Sequence, residues 1–273
     1  MDEAMRPWVP VIALVLSGCQ ASPSPNPGSA DPGTASTAAA TDPGSESSTP
    51  ASDPGTASTT AAADRGSESL EVPAKINARY AEQTNPGRWA AQFEREGREV
   101  HDRRADIITA LALPPTADVA DIGAGTGLFT LDFARAVPEG SVVAVDVQSY
   151  FLEHIAAKAT DAGLGNVRTV LASQTSVELA PNSIDVAFFC DAFHHVEQPT
   201  AYLESVLAAL RPGGHLIIID YDRTRPGTKA WMKEHIRADP AAFRAEIEAA
   251  GFGFGVSLDM LEENFFYTFR KPQ

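Results

Sequence analysis

The stretch VADIGAGTGLF, residues 119–129, constrains the fold of this chain more than any other segment. An apolar run ends in the acid Asp121 and is followed by Gly123, Gly125 and Gly127 at alternate positions. Glycine lets the main chain turn sharply and lets another group approach it closely. The apolar run predicts a buried strand, and the segment GLFTLDFARAV has helical spacing. The stretch therefore predicts a strand that turns tightly into a helix.

A second buried strand, SVVAVDV, follows and contains Asp146, which stands 19 residues after Gly127. Strand, turn, helix and strand make a βαβ unit, and ligands of such units bind beyond the carboxyl ends of the strands. The glycines allow a ligand to lie close to the backbone over the start of the helix. A carboxylate at the end of the second strand can accept hydrogen bonds from both hydroxyls of an adenosine ribose. The pattern predicts a ligand that contains adenosine.

Composition divides the chain into regions. Residues 21 to about 69 are almost entirely Ala, Ser, Thr, Pro, Gly and Asp, and the sequence DPGTAST occurs twice there. Such a segment cannot bury enough apolar surface to offset its chain entropy, so we predict a disordered tether over residues 19–71 with a duplicated spacer. Residues 72–273 carry nearly all the large apolar side chains and predict one domain. The formal net charge is −15 and no basic patch stands out, which argues against a nucleic-acid partner.

The glycine spacing and the elements after it resemble the class I S-adenosylmethionine-dependent methyltransferases. A G-x-G-x-G turn with Asp121 two residues ahead is similar to the first motif of that family, whereas a nicotinamide fingerprint would need glycine where the chain has Leu128. Downstream, the helices and strands, including an LRPGG turn before the fifth strand and a closing hairpin, follow the family order. The resemblance implies an α/β fold: a Rossmann-like seven-stranded sheet, mostly parallel with an antiparallel last strand, and helices on both faces.

The resemblance is greatest to small-molecule methyltransferases, a group that includes ubiquinone and menaquinone C-methyltransferases. It implies S-adenosylmethionine as the cofactor and a small molecule as the methyl acceptor. Family members usually have an acid after the third strand, where this chain has Ser173 and Gln174, either of which could bind the adenine amine. Carried over to matching positions, the methionine end would be held by Asp121, Gly123, Ala124, Gly125 and Gly127, the ribose by Asp146 and the adenine face by Val147.

The loop after the fourth strand, CDAFHHVEQP, carries the candidate catalytic residues. The resemblance places Asp191 where family members contact the cofactor or the acceptor. His194 and His195 follow, and an imidazole near neutral pH can take a proton from an oxygen, nitrogen or acidic carbon. Packing, helix capping and plain substrate contact are the alternative roles of both histidines.

The histidine pair does not predict a metal site by itself, because a metal needs a third protein ligand. The remaining histidines show no ligand spacing relative to the pair: His101, His154, His215 and His235. We therefore expect no metal.

Residues 79–113 predict one or two amphipathic helices that, by the resemblance, cover the cofactor and shape the acceptor pocket. The candidate residues there are Tyr80, Trp89, Phe93, Glu94 and Arg98. Topology also places four later residues near the pocket, namely Tyr221, Asp222, His235 and Arg237.

The N-terminus resembles a bacterial lipoprotein signal. Residues 9–16, VPVIALVL, are too short to span a bilayer as a helix but are typical of a signal-peptide core, and they run into LSGC. The resemblance implies a signal peptide over residues 1–18, lipid attachment at Cys19 and a membrane-anchored protein on the periplasmic or outer-surface side of a bacterium. If Cys19 is acylated, the second cysteine, Cys190, has no partner, and we expect no disulfide.

Together these features predict an exported, lipid-anchored methyltransferase for a small molecule. The alternative is an exported binding protein that uses the same cleft for an adenosine-like or apolar ligand without turnover. Asp121, the three glycines and Asp146 favour the enzyme.

Overall fold

The computed structural model describes residues 74–273 of the 273-residue chain. The predictions for the signal segment, for Cys19 and for the tether lie outside the described residues. Within residues 74–273, no helix combines the length and the apolar character needed to cross a membrane.

A single seven-stranded sheet organises the described part of the chain, in the order β3-β2-β1-β4-β5-β7-β6. Its first five strands along this order are parallel, and β7 is antiparallel to both β5 and β6. This arrangement confirms the predicted sheet with its antiparallel last strand. The strands are β1 Asp118–Ile122, β2 Ser141–Asp146, β3 Val167–Leu171, β4 Ile184–Cys190, β5 Leu210–Tyr221, β6 Gly253–Leu258 and β7 Asn264–Arg270.

Helices cover both faces of the sheet, as predicted. Alternate residues of a strand face opposite sides, so Ile122 packs in one core with Phe243 while Val119 packs in the other with Ile107 and Phe133. A short 3₁₀ helix spans Phe193–His195. The α-helices are α1 Ala74–Glu82, α2 Pro86–Phe93, α3 Glu99–Asp102, α4 Arg104–Leu111, α5 Thr130–Ala136, α6 Ser149–Asp161, α7 Pro199–Ala209, α8 Ala230–His235 and α9 Pro240–Ala249.

The segment ahead of β1 forms four helices, where the sequence pattern predicted one or two. Asn85 starts α2 by accepting a hydrogen bond from the backbone N–H of Gly87 at 2.9 Å, and Pro86 is the first helical residue. Gly97, with a φ of +81°, separates α2 from α3. These chain breaks divide the segment into short helices, which place Tyr80, Phe93 and Arg98 in one cleft with the glycine turn.

The LRPGG segment also differs from its prediction as a turn before the fifth strand. It forms the irregular start of β5, with Leu210 paired to Ile184 and His215 paired to Val186. Between these pairs, four residues of β5 lie opposite one residue of β4, which is an irregularity at the amino end of the strand.

The sheet order fixes where a ligand can bind. The chain moves outward from β1 through β2 to β3, and then crosses to β4 on the other side of β1. At such a switch point the connecting loops diverge and leave a crevice beyond the carboxyl ends of the strands. Both the glycine turn after β1 and the histidine pair after β4 lie at this end.

Candidate active site

A cleft of about 650 Å³ opens at the carboxyl ends of β1, β2 and β4. This volume lies within the range of about 300–1,000 Å³ that is usual for small-molecule sites. The residues predicted from the sequence that line the cleft are Asp121, Gly123, Ala124, Gly125, Asp146, Val147, Gln174, Asp191, His194 and His195.

The glycine turn and Asp146 are joined by hydrogen bonds. The backbone N–H of Gly125 donates to Asp146 Oδ2 at 2.9 Å, and that of Gln148 donates to Oδ1 at 2.9 Å. Gly125 has a φ of +53°, and a Cβ there would meet nothing closer than the ring of Phe93 at 3.6 Å. The main chain at Gly125 therefore borders open space within the cleft, with the carboxylate beside it.

Gly123 and Gly127 have packing roles. A Cβ at Gly123 would lie 2.5 Å from Ala192 Cβ, so the turn is held against the loop after β4. At Gly127, which does not line the cleft, a Cβ would lie 2.8 Å from Ile155 Cγ1 of α6. Its missing side chain lets α6 pack against the turn, and the expected contact of Gly127 with the cofactor stays a prediction.

Two buried carboxylates flank the turn. Thr130 Oγ1 donates to Asp121 Oδ2 at 2.5 Å. Burial raises the pKa of Asp121 to about 7 and that of Asp146 to about 6, because a charged carboxylate is poorly solvated there. Both pKa values rise although hydrogen bonds to the two carboxylates act in the opposite direction.

The two residues expected at the adenine edge have different positions. Gln174 lines the cleft, whereas Ser173 does not, and its hydroxyl donates to Glu178 at 3.1 Å. The Ser173 hydroxyl is thus bonded within its own loop, and its expected contact with the cofactor stays a prediction. Val147 lines the cleft with 40% of its surface exposed, which leaves an apolar face open to a flat ring.

Asp191 has both carboxylate oxygens engaged. Arg98 Nη2 lies 2.6 Å from Oδ2, and Asn264 Nδ2 donates to Oδ1 at 2.5 Å. Asp191 also has a φ of +51°, which is unusual for a residue other than glycine and marks local strain of about 1 kcal/mol or more. Burial raises its pKa to about 6 despite the opposing effect of Arg98. The catalytic role of Asp191 stays a prediction, and the contacts observed for it tie an N-terminal segment to β7.

His194 is buried and paired with Asp220, a residue that sequence reasoning missed. Its Nδ1 lies 2.7 Å from Asp220 Oδ1, and its backbone N–H donates to Oδ2 at 3.0 Å. Burial raises the pKa of Asp220 to about 7 and lowers the pKa of His194, because the surroundings penalise both charges. An acid inside the apolar run LIIID was the signal that could have identified Asp220.

His195 is held from the N-terminal helix. Its Nδ1 lies 2.8 Å from the side-chain oxygen of Asn77, and its Nε2 lies 3.3 Å from the Tyr80 hydroxyl. Burial lowers the pKa of His195 and raises that of Tyr80 to about 12, so the ring is neutral and the phenol keeps its proton at pH 7. Asn77 had no sequence signal as a site residue.

A third imidazole joins the pair, contrary to the expectation that no further ligand is available. His235, the last residue of α8, has its Nε2 3.3 Å from the Nε2 of His194. One ring nitrogen from each of the three histidines lies within 4.8 Å of the other two. Sequence spacing could not reveal this, because the histidines are 40 residues apart in the chain.

The other residues that were predicted from the sequence fall into two groups: some line the cleft, and the others make contacts outside it. Glu94 pairs with Lys158 at 2.9 Å, Arg237 pairs with Glu246, Asp222 accepts from Thr224, and Trp89 packs beside Tyr80. These four do not line the cleft. The candidates that do are Tyr80, Phe93, Arg98, Tyr221 and His235, joined by the unpredicted Asn77, Tyr202, Trp231 and Met232.

Comparisons with known proteins agree with this architecture. Residues 119–214 match a family model described as a methyltransferase domain. A ubiquinone/menaquinone biosynthesis C-methyltransferase, UbiE, of Idiomarina loihiensis is 35% identical over 107 residues, which are 38% of this chain and 43% of the relative. The UbiE of Azotobacter vinelandii is 34% identical over 107 residues, 38% and 42% of the two chains. This chain thus spans less than half the length of these curated relatives.

Solved structures show the same fold. A SAM-dependent methyltransferase from Aquifex aeolicus aligns with a TM-score of 0.62 at 22% identity, over 68% of this chain and 98% of that chain. The [4+2]-cyclase SpnF aligns with a TM-score of 0.61 at 18% identity, over 74% and 98% of the two chains. The described domain therefore has the α/β fold shared by these proteins, and its residues 119–214 are similar to the methyltransferase domain family.

Proposed function

We propose that this domain transfers a methyl group from S-adenosylmethionine to a small-molecule acceptor. The observation that carries the proposal is the open glycine turn at Gly125, hydrogen-bonded to the buried carboxylate of Asp146 at the end of the neighbouring strand. The family match over residues 119–214 and the shared fold support it. When bound, the cofactor supplies an activated methyl group on a positively charged sulfur.

The donor end of the cleft fits the cofactor in shape and charge. Gly125 leaves room for a ligand against the main chain, and Asp146 retains acceptor capacity on both oxygens beyond its two backbone partners. Asp121, buried below the turn, is negatively charged once deprotonated and attracts a cationic ligand. Val147 offers an apolar surface to the adenine ring.

The acceptor end is lined by His194, His195 and His235. In methyl transfer, an acceptor atom attacks the methyl carbon, the carbon–sulfur bond breaks with its electrons passing to sulfur, and any acceptor proton must leave. Alignment of the two reactants and exclusion of water account for most of the rate gain that such a site can provide. The imidazoles can assist by taking that proton or by holding a metal ion.

Calorimetric titration tests the donor site. The full chain is expected to bind S-adenosylmethionine and S-adenosylhomocysteine at one site, and NADH is expected not to compete. Asp146→Asn should weaken the affinity about ten- to hundredfold, since hydrogen bonds to a charged group contribute about 1.5–3 kcal/mol. The control Asp161→Asn, at an exposed position in α6, should bind as the unmodified protein does. Absence of binding heat for both ligands would remove the proposal.

A binding protein without turnover is the second candidate. The observation favouring it is Gln174, which lines the cleft where the related enzymes usually carry an acid for the adenine amine. An amide offers a weaker partner than a carboxylate, so the cleft could prefer another adenosine-like or apolar ligand. An assay of S-adenosylhomocysteine release distinguishes the enzyme from the binding protein. The protein is given a mixture of small quinols, phenols and thiols, and a binding protein releases no S-adenosylhomocysteine over time.

We propose in addition that the protein is exported and lipid-anchored, on the periplasmic or outer-surface side of a bacterium. The support is the apolar run of residues 9–16, the LSGC sequence ending in Cys19, and the polar spacer after it. An acylated amino terminus with a diacylated sulfur would give enough apolar surface for stable anchoring. The chain expressed in a bacterium should enter the detergent phase on partition and Cys19→Ser the aqueous phase; an aqueous wild type would contradict the anchor.

A further inference from the structure

The three imidazoles at the acceptor end come from two separate segments of the chain. His194 and His195 belong to the 3₁₀ helix after β4, and His235 ends α8. His194 is buried and the other two are half-buried, and all three rings line the cleft. Their ring nitrogens converge to within 4.8 Å of one another.

Two of the rings are oriented by oxygen atoms behind them. Asp220 Oδ1 lies 2.7 Å from Nδ1 of His194, and Asn77 Oδ1 lies 2.8 Å from Nδ1 of His195. An oxygen acceptor at Nδ1 holds the proton there and directs the lone pair of Nε2 toward another partner, which for His195 is now the Tyr80 hydroxyl at 3.3 Å. Metal-binding histidines almost always have such a partner, most often a carboxylate or a carbonyl oxygen.

The observed spacing suits tetrahedral coordination. Zinc–nitrogen bonds of about 2.0–2.1 Å at tetrahedral angles separate the ligand nitrogens by about 3.3–3.4 Å. His194 Nε2 and His235 Nε2 are 3.3 Å apart. The third ring has to close a gap of at most 4.8 Å, and binding the ion would replace the contact of His195 Nε2 with the Tyr80 hydroxyl.

We propose that His194, His195 and His235 bind one divalent transition-metal ion of the kind that prefers imidazole nitrogen, such as Zn²⁺, with an open coordination position facing the cleft. Calcium and magnesium do not fit, since they prefer oxygen ligands. Asp220 places a carboxyl group behind the site, and the positive charges that face His194 are those of Arg237, Arg79 and Arg98. The ion would hold the Nε2 lone pairs, so the histidines would bind metal rather than act as bases.

A metal ion at this site would determine which class of methyl acceptor binds. This consequence rests on the proposed methyl transfer. Three protein ligands leave a fourth position, which a hydroxyl or thiol of the acceptor can take. Coordination lowers the pKa of that group, and its proton passes to solvent. The resulting anion attacks the methyl carbon, and the carbon–sulfur electrons remain on sulfur. Acceptors with a metal-binding oxygen or sulfur are therefore expected.

Metal titration of the purified full chain, stripped with a chelator, tests the site. We expect one equivalent of Zn²⁺ to bind near neutral pH, and Co²⁺ to give the visible absorption of a tetrahedral ion. His235→Gln and His194→Ala should weaken Zn²⁺ binding at least tenfold. Asp220→Asn, which alters only the group behind His194, should weaken it about ten- to hundredfold. The control is His101→Ala, whose ring pairs with Asp102 outside the cleft.

The outcomes separate this inference from the proposed function. Melting curves establish that each variant is folded, and S-adenosylhomocysteine affinity is measured on the same samples. No binding of Zn²⁺ by the wild type, or equal binding by the folded His235→Gln variant, overturns the metal site. Zinc binding without any affinity for S-adenosylhomocysteine overturns the methyl-transfer proposal and leaves the metal site standing.

Discussion

Asp121 and Asp146 are buried carboxylates beside a stretch of main chain that borders open space. Burial raises both pKa values, so keeping these groups ionised at neutral pH costs folding free energy. Proteins retain such groups where a ligand uses the charge, and strongly shifted acids in a cleft mark functional sites. At the residue scale, this pair is the main physical argument that the cleft binds a cation-bearing nucleoside.

Affinity for S-adenosylmethionine should depend on pH through Asp121. Its pKa of about 7 means that the empty protein holds a proton there below neutral pH, and a bound cation would lower that pKa and expel the proton. Affinity should therefore rise with pH up to about 7, by at most about tenfold per pH unit for one proton, and then level off. Titrations in buffers of different ionisation heat measure the proton release. Asp121→Asn should flatten the profile, and an unchanged slope in that variant would contradict the assignment.

Gly125 and Gly127 provide a matched pair of substitutions. Both have positive φ values, so alanine at either position costs about 1–2 kcal/mol. Only Gly127→Ala forces a methyl group against Ile155, which should add about 1–3 kcal/mol of destabilisation. Gly125→Ala should lose only the cost of the positive φ, and it should also lose cofactor affinity because its methyl group enters the cleft. Urea unfolding and calorimetry measure both effects, and the reverse pattern would contradict these assignments.

At the element scale, polar contacts join the N-terminal helices to the loop after β4 and to the start of β7. Arg98 pairs with Asp191, Asn77 bonds to the loop of His195, and Glu99 accepts the backbone N–H groups that lead into β7. Few large apolar side chains of α1 are buried, Ile76 being one. Polar contacts therefore account for much of the attachment of α1, whereas the later helices also bury Trp89, Val100, Ile107 and Leu111.

The Arg98–Asp191 pair can be tested by a double-variant cycle. Arg98→Met leaves a buried carboxylate without its cation and should cost about 2–5 kcal/mol of unfolding free energy. Adding Asp191→Asn removes the uncompensated charge and should recover part of that loss. Arg103→Met, which breaks an exposed ion pair with Asp106, should change stability by about 0.5 kcal/mol or less. If the effects of Arg98→Met and Asp191→Asn simply add, the two residues do not interact as described.

The sequence predicted the central strands better than the short peripheral helices, and the difference has a physical reason. Strands such as β2 and β4 are buried on both faces and appear as continuous apolar runs that few other structures accommodate. The short helices α3 and α8 owe their place to tertiary contacts, since four to six residues cannot form a stable helix alone. The helix cap at Asn85 and the left-handed backbone at Gly97 divide the N-terminal segment, and neither break was predicted from the sequence.

The candidate site was predicted in its donor half and missed in much of its acceptor half. The donor residues lie in one βαβ unit, so their spacing along the chain reports their proximity. His235 and Asn77 reach the cleft from distant segments, and Asp220 lies behind His194; only the folded chain brings these three residues to the histidine pair. Gly127 matches the family pattern and Ser173 departs from it; neither lines the cleft, because Gly127 packs against α6 and Ser173 bonds within its own loop.

At the scale of the whole molecule, the strand order places the two halves of the site side by side. The crossing from β3 to β4 brings the loop after β4 next to the glycine turn after β1, as the contact between Gly123 and Ala192 shows. A donor bound at the turn would thus lie next to the histidine cluster. The domain boundary at residue 72 and the tether before it stay predictions, since they precede the described residues.

A crystal structure of the full chain soaked with S-adenosylhomocysteine tests the central claim most directly. The account predicts the ribose hydroxyls within hydrogen-bonding distance of Asp146, the homocysteine backbone along the turn at Gly125, and the sulfur facing the cluster of His194, His195 and His235. Clear density for the ligand at another place, or an empty cleft at saturating concentration with Asp146 still bonded only to Gly125 and Gln148, would contradict it.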